Sequence, residues 1–89
     1  MIKKEITIKN SLGLTERPAM YFVQKATTFR SSIWIEIDDR KMSAKSVLGV
    51  LSLKILPEMS FTIIADGSDE VDAINGLVEL INSDLPTQA

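Results

Sequence analysis

Ile33-Trp34-Ile35-Glu36-Ile37-Asp38-Asp39-Arg40-Lys41-Met42 is the stretch that decides the fold. Its isoleucines alternate with Trp34 and Glu36, the period of a strand whose Ile33, Ile35 and Ile37 share one face. Asp38-Asp39-Arg40 then turns the chain into a short returning strand through Met42. The pair reads as a β-hairpin, although a glycine at Asp39 would suit a tight primed turn better. Trp34, on the other face, reads as a half-buried packing residue.

Working outward toward the N-terminus, Ser31-Ser32 separates the hairpin from a helical segment, Glu16 to Phe29. There Ala19, Phe22, Val23, Ala26 and Phe29 recur at the three-and-four spacing of one apolar stripe. Thr15 is its candidate cap, and Pro18 lies in the first turn, where a missing N–H costs nothing. Arg17, Met20, Gln24 and Thr27 fall on the opposite side. Asn10-Ser11-Leu12-Gly13 breaks the chain before this helix. Earlier still, Ile2, Ile6 and Ile8 alternate with polar residues from Lys3 to Lys9, as in a strand buried on one side.

Toward the C-terminus, Ser46 opens a short amphipathic helix in which Val50 and Leu53 can face the core. Val47, Leu48 and Leu51 share a second side, and helical spacing alone leaves open whether it is covered. Leu56-Pro57-Glu58 forms a turn before Ser60-Phe61-Thr62-Ile63-Ile64-Ala65, an apolar run expected well inside the sheet. Asp66-Gly67-Ser68-Asp69-Glu70 supplies a turn, a cap and the acidic first turn of a last helix. Val71, Ile74, Leu77, Val78 and Ile81 are its expected buried stripe. Gly76 lies mid-helix, at a cost of about 1 kcal/mol against alanine, which suggests close packing there or simple tolerance. Pro86 is expected to end the ordered part. A strand hairpin set between helices predicts an α+β layer pair, with helices over one face of a mostly antiparallel sheet.

The 89 residues suffice for one core and not for two, so residues 1–89 are expected to form a single domain. With 45% hydrophobic and 25% charged residues, the composition is that of an ordinary soluble globular protein. A net charge of −2 offers no electrostatic argument for nucleic acid or an anionic membrane. The absence of cysteine and histidine removes disulfides, thiolate and imidazole chemistry and the usual zinc and haem ligands. The chain therefore reads as a non-enzyme that needs no cofactor or metal. No secretory leader and no run of membrane-spanning length is present, which places it in the cytoplasm.

Ser46 stands where an N-cap belongs, its hydroxyl able to accept from an orphan N–H of the first turn. A phosphate suits the same place, because a helix N-terminus gathers unpaired N–H groups and Lys45 adds a neighbouring cation. The plainer role is an ordinary cap.

Gly13-Leu14-Thr15-Glu16-Arg17-Pro18-Ala19, taken with Lys45-Ser46-Val47-Leu48-Gly49-Val50-Leu51-Ser52-Leu53, resembles the two signatures of the HPr phosphocarrier family. The likeness covers nearly the whole chain. It implies an HPr-like open-faced sandwich in the order β-α-β-β-α-β-α, with three helices on one face of a four-stranded antiparallel sheet. In that family a histidine between the glycine-aliphatic pair and Arg-Pro-Ala relays phosphate from the phosphoenolpyruvate-dependent enzyme of the sugar phosphotransferase system. Here the position is Thr15, whose hydroxyl needs a base and would give a stable ester, so a relay is not expected. Glu16 replaces a small residue and sets a carboxylate beside any incoming phosphate.

What is kept resembles the histidine-less, catabolite-repression branch of the family in Gram-positive bacteria. That likeness implies phosphorylation of Ser46 by the bifunctional HPr kinase/phosphorylase, after which the phosphoprotein serves as corepressor for a LacI-type catabolite control repressor. Carried over residue by residue, Arg17, Met20, Gln24, Lys45, Val47, Leu48 and Leu51 match the partner-binding surface. A homodimer through exchange of the first strand is conceivable in this branch. Two other uses stay open: a phosphocarrier with an altered acceptor, and an inert HPr-like scaffold.

Overall fold

A computed structural model of the chain describes residues 1–83, so the expected end of order at Pro86 lies outside the described residues. The elements are β1 (Ile2–Thr7), α1 (Glu16–Thr27), β2 (Ser32–Ile37), β3 (Arg40–Ser43), α2 (Val47–Ser52), β4 (Ser60–Asp66) and α3 (Glu70–Ser83). The hairpin forms as expected: Trp34 pairs with Ser43 and Ile37 with Arg40, leaving Asp38-Asp39 as a two-residue loop. The positive φ falls on Asp38, at 54°, rather than on Asp39. Aspartate is among the residues that tolerate this region.

The sheet is antiparallel in the order β1-β4-β2-β3. β4, the most apolar strand, is thus paired along both edges. Register places Ile6 opposite Phe61 and Ile63 opposite Ile35, and these residues meet the helices as one buried core. On the uncovered face, Lys3, Ile64, Trp34 and Ser43 form one row, and Glu5, Thr62, Glu36 and Lys41 the next. Trp34 is half-buried as expected, with the Lys41 ammonium 4.8 Å from its ring centroid.

α1 buries Pro18, Ala19, Phe22, Val23 and Ala26 and stops at Thr27, short of the expected Phe29. Phe29 instead packs at the margin of the core, and a Cβ on Gly76 would stand 2.9 Å from its ring. Gly76 is therefore glycine because another helix end presses on it. α3 departs from expectation at Val71, which is 56% exposed. Val71 lies nearly two turns below half-buried Val78 on the margin of the stripe, and Ala73 joins Ile74, Leu77 and Ile81 in the core.

Asp69 ties the start of α3 to the entry of β2. Its carboxylate accepts from the Arg30 N–H at 2.8 Å, the Ser31 N–H at 2.9 Å and the Ser31 hydroxyl at 2.5 Å. The Ser31 hydroxyl, with help from the two N–H groups, holds the Asp69 carboxyl down to about 2. Glu70 is also lowered, first by the Gly67 N–H and then by the Met1 ammonium. A carboxyl held below its unfolded value stabilises the fold above pH 4 and loses that contribution as pH falls through about 2. Asp69→Asn is therefore expected to lower the thermal midpoint at pH 7, and the gap to wild type should close as acid approaches pH 2. Midpoints recorded across that range check it.

Candidate functional site

The chain reaches α2 through a braced corner. Past the end of β3 the Ala44 N–H donates to the Ile33 carbonyl at 2.8 Å, and the Ser46 N–H donates to the Ser43 carbonyl at 3.2 Å. Ser46 is extended, and its Oγ accepts from the Gly49 N–H at 3.0 Å. It is the N-cap that its place in the sequence predicts. Val50 and Leu53 are 0% and 1% exposed and seat the helix on the core.

Leu48, 81% exposed, and Val47, 37% exposed, form the uncovered side. Leu51 departs from that group: it is half-buried and packs against the core, because it sits between the anchors Val50 and Leu53. Lys45 also departs from its expected place as a cation standing beside Ser46. Its ammonium donates to the Phe29 carbonyl at 2.7 Å, where the C-terminal end of α1 attracts a positive charge.

The first signature folds into a tight loop. Gly13 takes φ 70° and donates its N–H to Asn10 Oδ1 at 2.7 Å. The next N–H, on Leu14, donates to the Ile55 carbonyl at 2.8 Å. The first bond tightens the loop and the second fastens the start of α1 to the segment leaving α2, with the two helices in contact. Thr15 occupies the N-cap position, yet its hydroxyl does not cap the helix: it donates to the Leu12 carbonyl at 2.7 Å. Glu16 follows with φ 52°, a left-handed conformation unusual for a side chain of its size. Arg17, Met20 and Gln24 are exposed and, with Tyr21, line a hollow of about 250 Å³.

Tyr21, 38% exposed, is missing from the sequence reading because it flanks Met20 between the polar and apolar sides of α1. Arg40 is the other omission. Its Nη1 and Nη2 donate to the Ser52 and Leu53 carbonyls at 2.9 and 2.8 Å. A clue was present in the lack of any basic residue in the last turn of α2. Trp34 lies on the opposite, uncovered face of the sheet, away from these groups. Among the described residues no helix is long and apolar enough to cross a membrane.

Comparison with known proteins agrees with this geometry. The family model described as "PTS HPr component phosphorylation site" matches residues 2–83. The HPr-like protein Crh of Halalkalibacterium halodurans is 40% identical over 84 residues, which is 94% of this chain and all of that protein. Its counterpart in Bacillus subtilis is 34% identical over 85 residues, 96% of this chain and again all of the relative. Among solved structures, HPr-C-His from Thermoanaerobacter tengcongensis superposes with a TM-score of 0.94 at 43% identity, each chain covered in full. The B. subtilis Crh crystal structure, a swapped dimer, gives 0.75 at 33% identity, covering 98% of this chain and 100% of the other. Matched in its signatures, its topology and nearly its whole length, the chain belongs to the HPr family of phosphocarrier and regulatory proteins of the phosphotransferase system.

Proposed function

We propose that this chain is a cytoplasmic, single-domain regulator of carbon catabolite repression: HPr kinase/phosphorylase phosphorylates it on Ser46, and the phosphoprotein then binds a LacI-type catabolite control repressor as corepressor. One observation carries the reading. The acceptor histidine is replaced by Thr15, whose hydroxyl is turned onto a backbone carbonyl, while Ser46 is retained as a half-exposed cap beside the uncovered Val47 and Leu48. A phosphoryl group on Ser46 adds roughly −1.5 to −2 charge at the rim of that apolar pair. It then offers charge-assisted bonds to an arginine of the partner. Arg17, Met20 and Gln24 complete the surface from α1, with Lys45 and Leu51 supporting it from below. The dimers described for B. subtilis Crh and T. tengcongensis HPr extend the proposal to a homodimer of this chain.

The test is incubation with ATP and a cognate HPr kinase, followed by site-resolved mass spectrometry. One phosphoryl group on Ser46 is expected, and none on Ser46→Ala. Because loss of the cap itself costs about 0.5–2 kcal/mol, Ser46→Asn, which keeps an acceptor for the Gly49 N–H, serves as the folding control. Equal phosphorylation of Ser46→Ala would overturn the proposal.

A further inference from the structure

We infer that Arg40 is a positioning residue for the Ser46 site: its guanidinium keeps α2 seated while the Ser46 hydroxyl leaves its capping bond to meet a phosphoryl donor. The inference rests on the reading of Ser46 as a kinase target. α2 is six residues long, far below the length at which a helix holds itself together in water. Val50, Leu53 and half-buried Leu51 seat it on the core, and at each end a side chain from outside the helix bonds its backbone. At the N-terminal end the partner is Ser46 Oγ, on the Gly49 N–H. At the C-terminal end it is the Arg40 fork, a planar cation that meets two carbonyls where the helix carries its partial negative charge.

Arg40 can act as a fixed post because its backbone is not part of the helix. It is the first residue of β3, paired with buried Ile37 across the two-residue turn, so its stem rises from the sheet. In phosphorylation, Ser46 Oγ forms a bond to the terminal phosphorus of ATP as the bond to the bridging oxygen breaks. ADP departs, and the hydroxyl proton passes to a base of the kinase. The Ser46 oxygen is aimed into the first turn of α2 at the Gly49 N–H, and turning it in line with the phosphorus draws it off that bond. At that moment the fork is the side chain from outside α2 that still bonds its backbone.

The experiment is a double-mutant cycle of Arg40→Met, which keeps the aliphatic stem and removes the donors, with Ser46→Ala. The readouts are amide exchange at Val50 in α2 and at its C-cap Leu53, exchange at Ile63 in β4 as the reference, and the rate of Ser46 phosphorylation. Arg40→Met is expected to speed Val50 and Leu53 exchange at least about tenfold relative to Ile63, and more than multiplicatively with Ser46→Ala. Its kcat/KM for phosphorylation should fall at least about fivefold. Arg40→Lys, which reaches one carbonyl at a time, should fall between. Unchanged α2 protection, strictly multiplicative effects, or a slower kinase reaction without loss of α2 protection would each overturn the inference. A variant in which Ile63 loses protection equally does so too, since the whole fold is then affected. A wild-type chain that takes no phosphoryl group from ATP sinks the proposed function instead, and the exchange data still decide whether Arg40 holds α2.

Discussion

Given phosphoenolpyruvate and the first enzyme of the sugar phosphotransferase system, the chain is expected to accept phosphoryl groups at least about 10³-fold more slowly than its Thr15→His variant. The difference lies in the acceptor. A neutral imidazole attacks at pH 7 unaided, whereas an alcohol must lose its proton to a base as it attacks. The Thr15 proton is directed at the Leu12 carbonyl, which holds it in place without removing it. The chain has no histidine that could serve as that base. Glu16 adds a like charge next to the incoming group, so Thr15→His/Glu16→Ala should be labelled faster than Thr15→His alone. Phosphate on Thr15 of the wild type would favour the altered-acceptor carrier and contradict the loss of the relay.

Gly13→Val is expected to destabilise the fold by about 3 kcal/mol or more, a loss of ~12 °C or more in the thermal midpoint for a chain of this size. A Cβ there would stand 2.8 Å from two backbone atoms of Leu56 and still nearer the Ile55 carbonyl oxygen, at a φ of 70°. Backbone cannot rotate aside as a side chain can. The left-handed conformation alone costs a branched residue roughly 1–2 kcal/mol, and the clash opens the Leu14–Ile55 hydrogen bond that fastens α1 beside α2. Gly49→Ala is the contrasting case. Its Cβ would stand 3.3 Å from the Met42 Cβ and the Ser46 Oγ. That crowding is offset by the higher helix propensity of alanine, so a near-neutral change is expected in the same melts.

Period-two alternation in Ile33–Ile37 and the apolar run of β4 made the layer order legible, because Ile33, Ile35 and Ile37 must turn to the face that helices cover, while β4, with Ile63 and Ile64 buried on opposite sides, must lie inside the sheet. Ser46 was legible for the same kind of reason: a hydroxyl before an apolar helical run has few better uses than a cap. What stayed hidden depends on residues distant in sequence. The Asp69 grip on Ser31 spans 38 positions, and Arg40 closes the far end of a helix to which it does not belong. Thr15 and Lys45 misled for a related reason. Both polar groups had a local role that spacing favoured and a backbone carbonyl nearby that the folded chain preferred, Leu12 for one and Phe29 for the other. Val71 shows the limit of periodicity itself, since a helical stripe is wider than the surface that covers its first turn.

The most direct measurement is the dissociation constant of a LacI-type catabolite control repressor for this chain before and after treatment with ATP and HPr kinase, with Ser46→Asn treated in parallel. A charge switch at Ser46 predicts at least about tenfold tighter binding by the phosphorylated wild type, the contribution of one charge-assisted bond, and no gain for the variant. Equal affinity before and after phosphorylation, or an equal gain in Ser46→Asn, would contradict it.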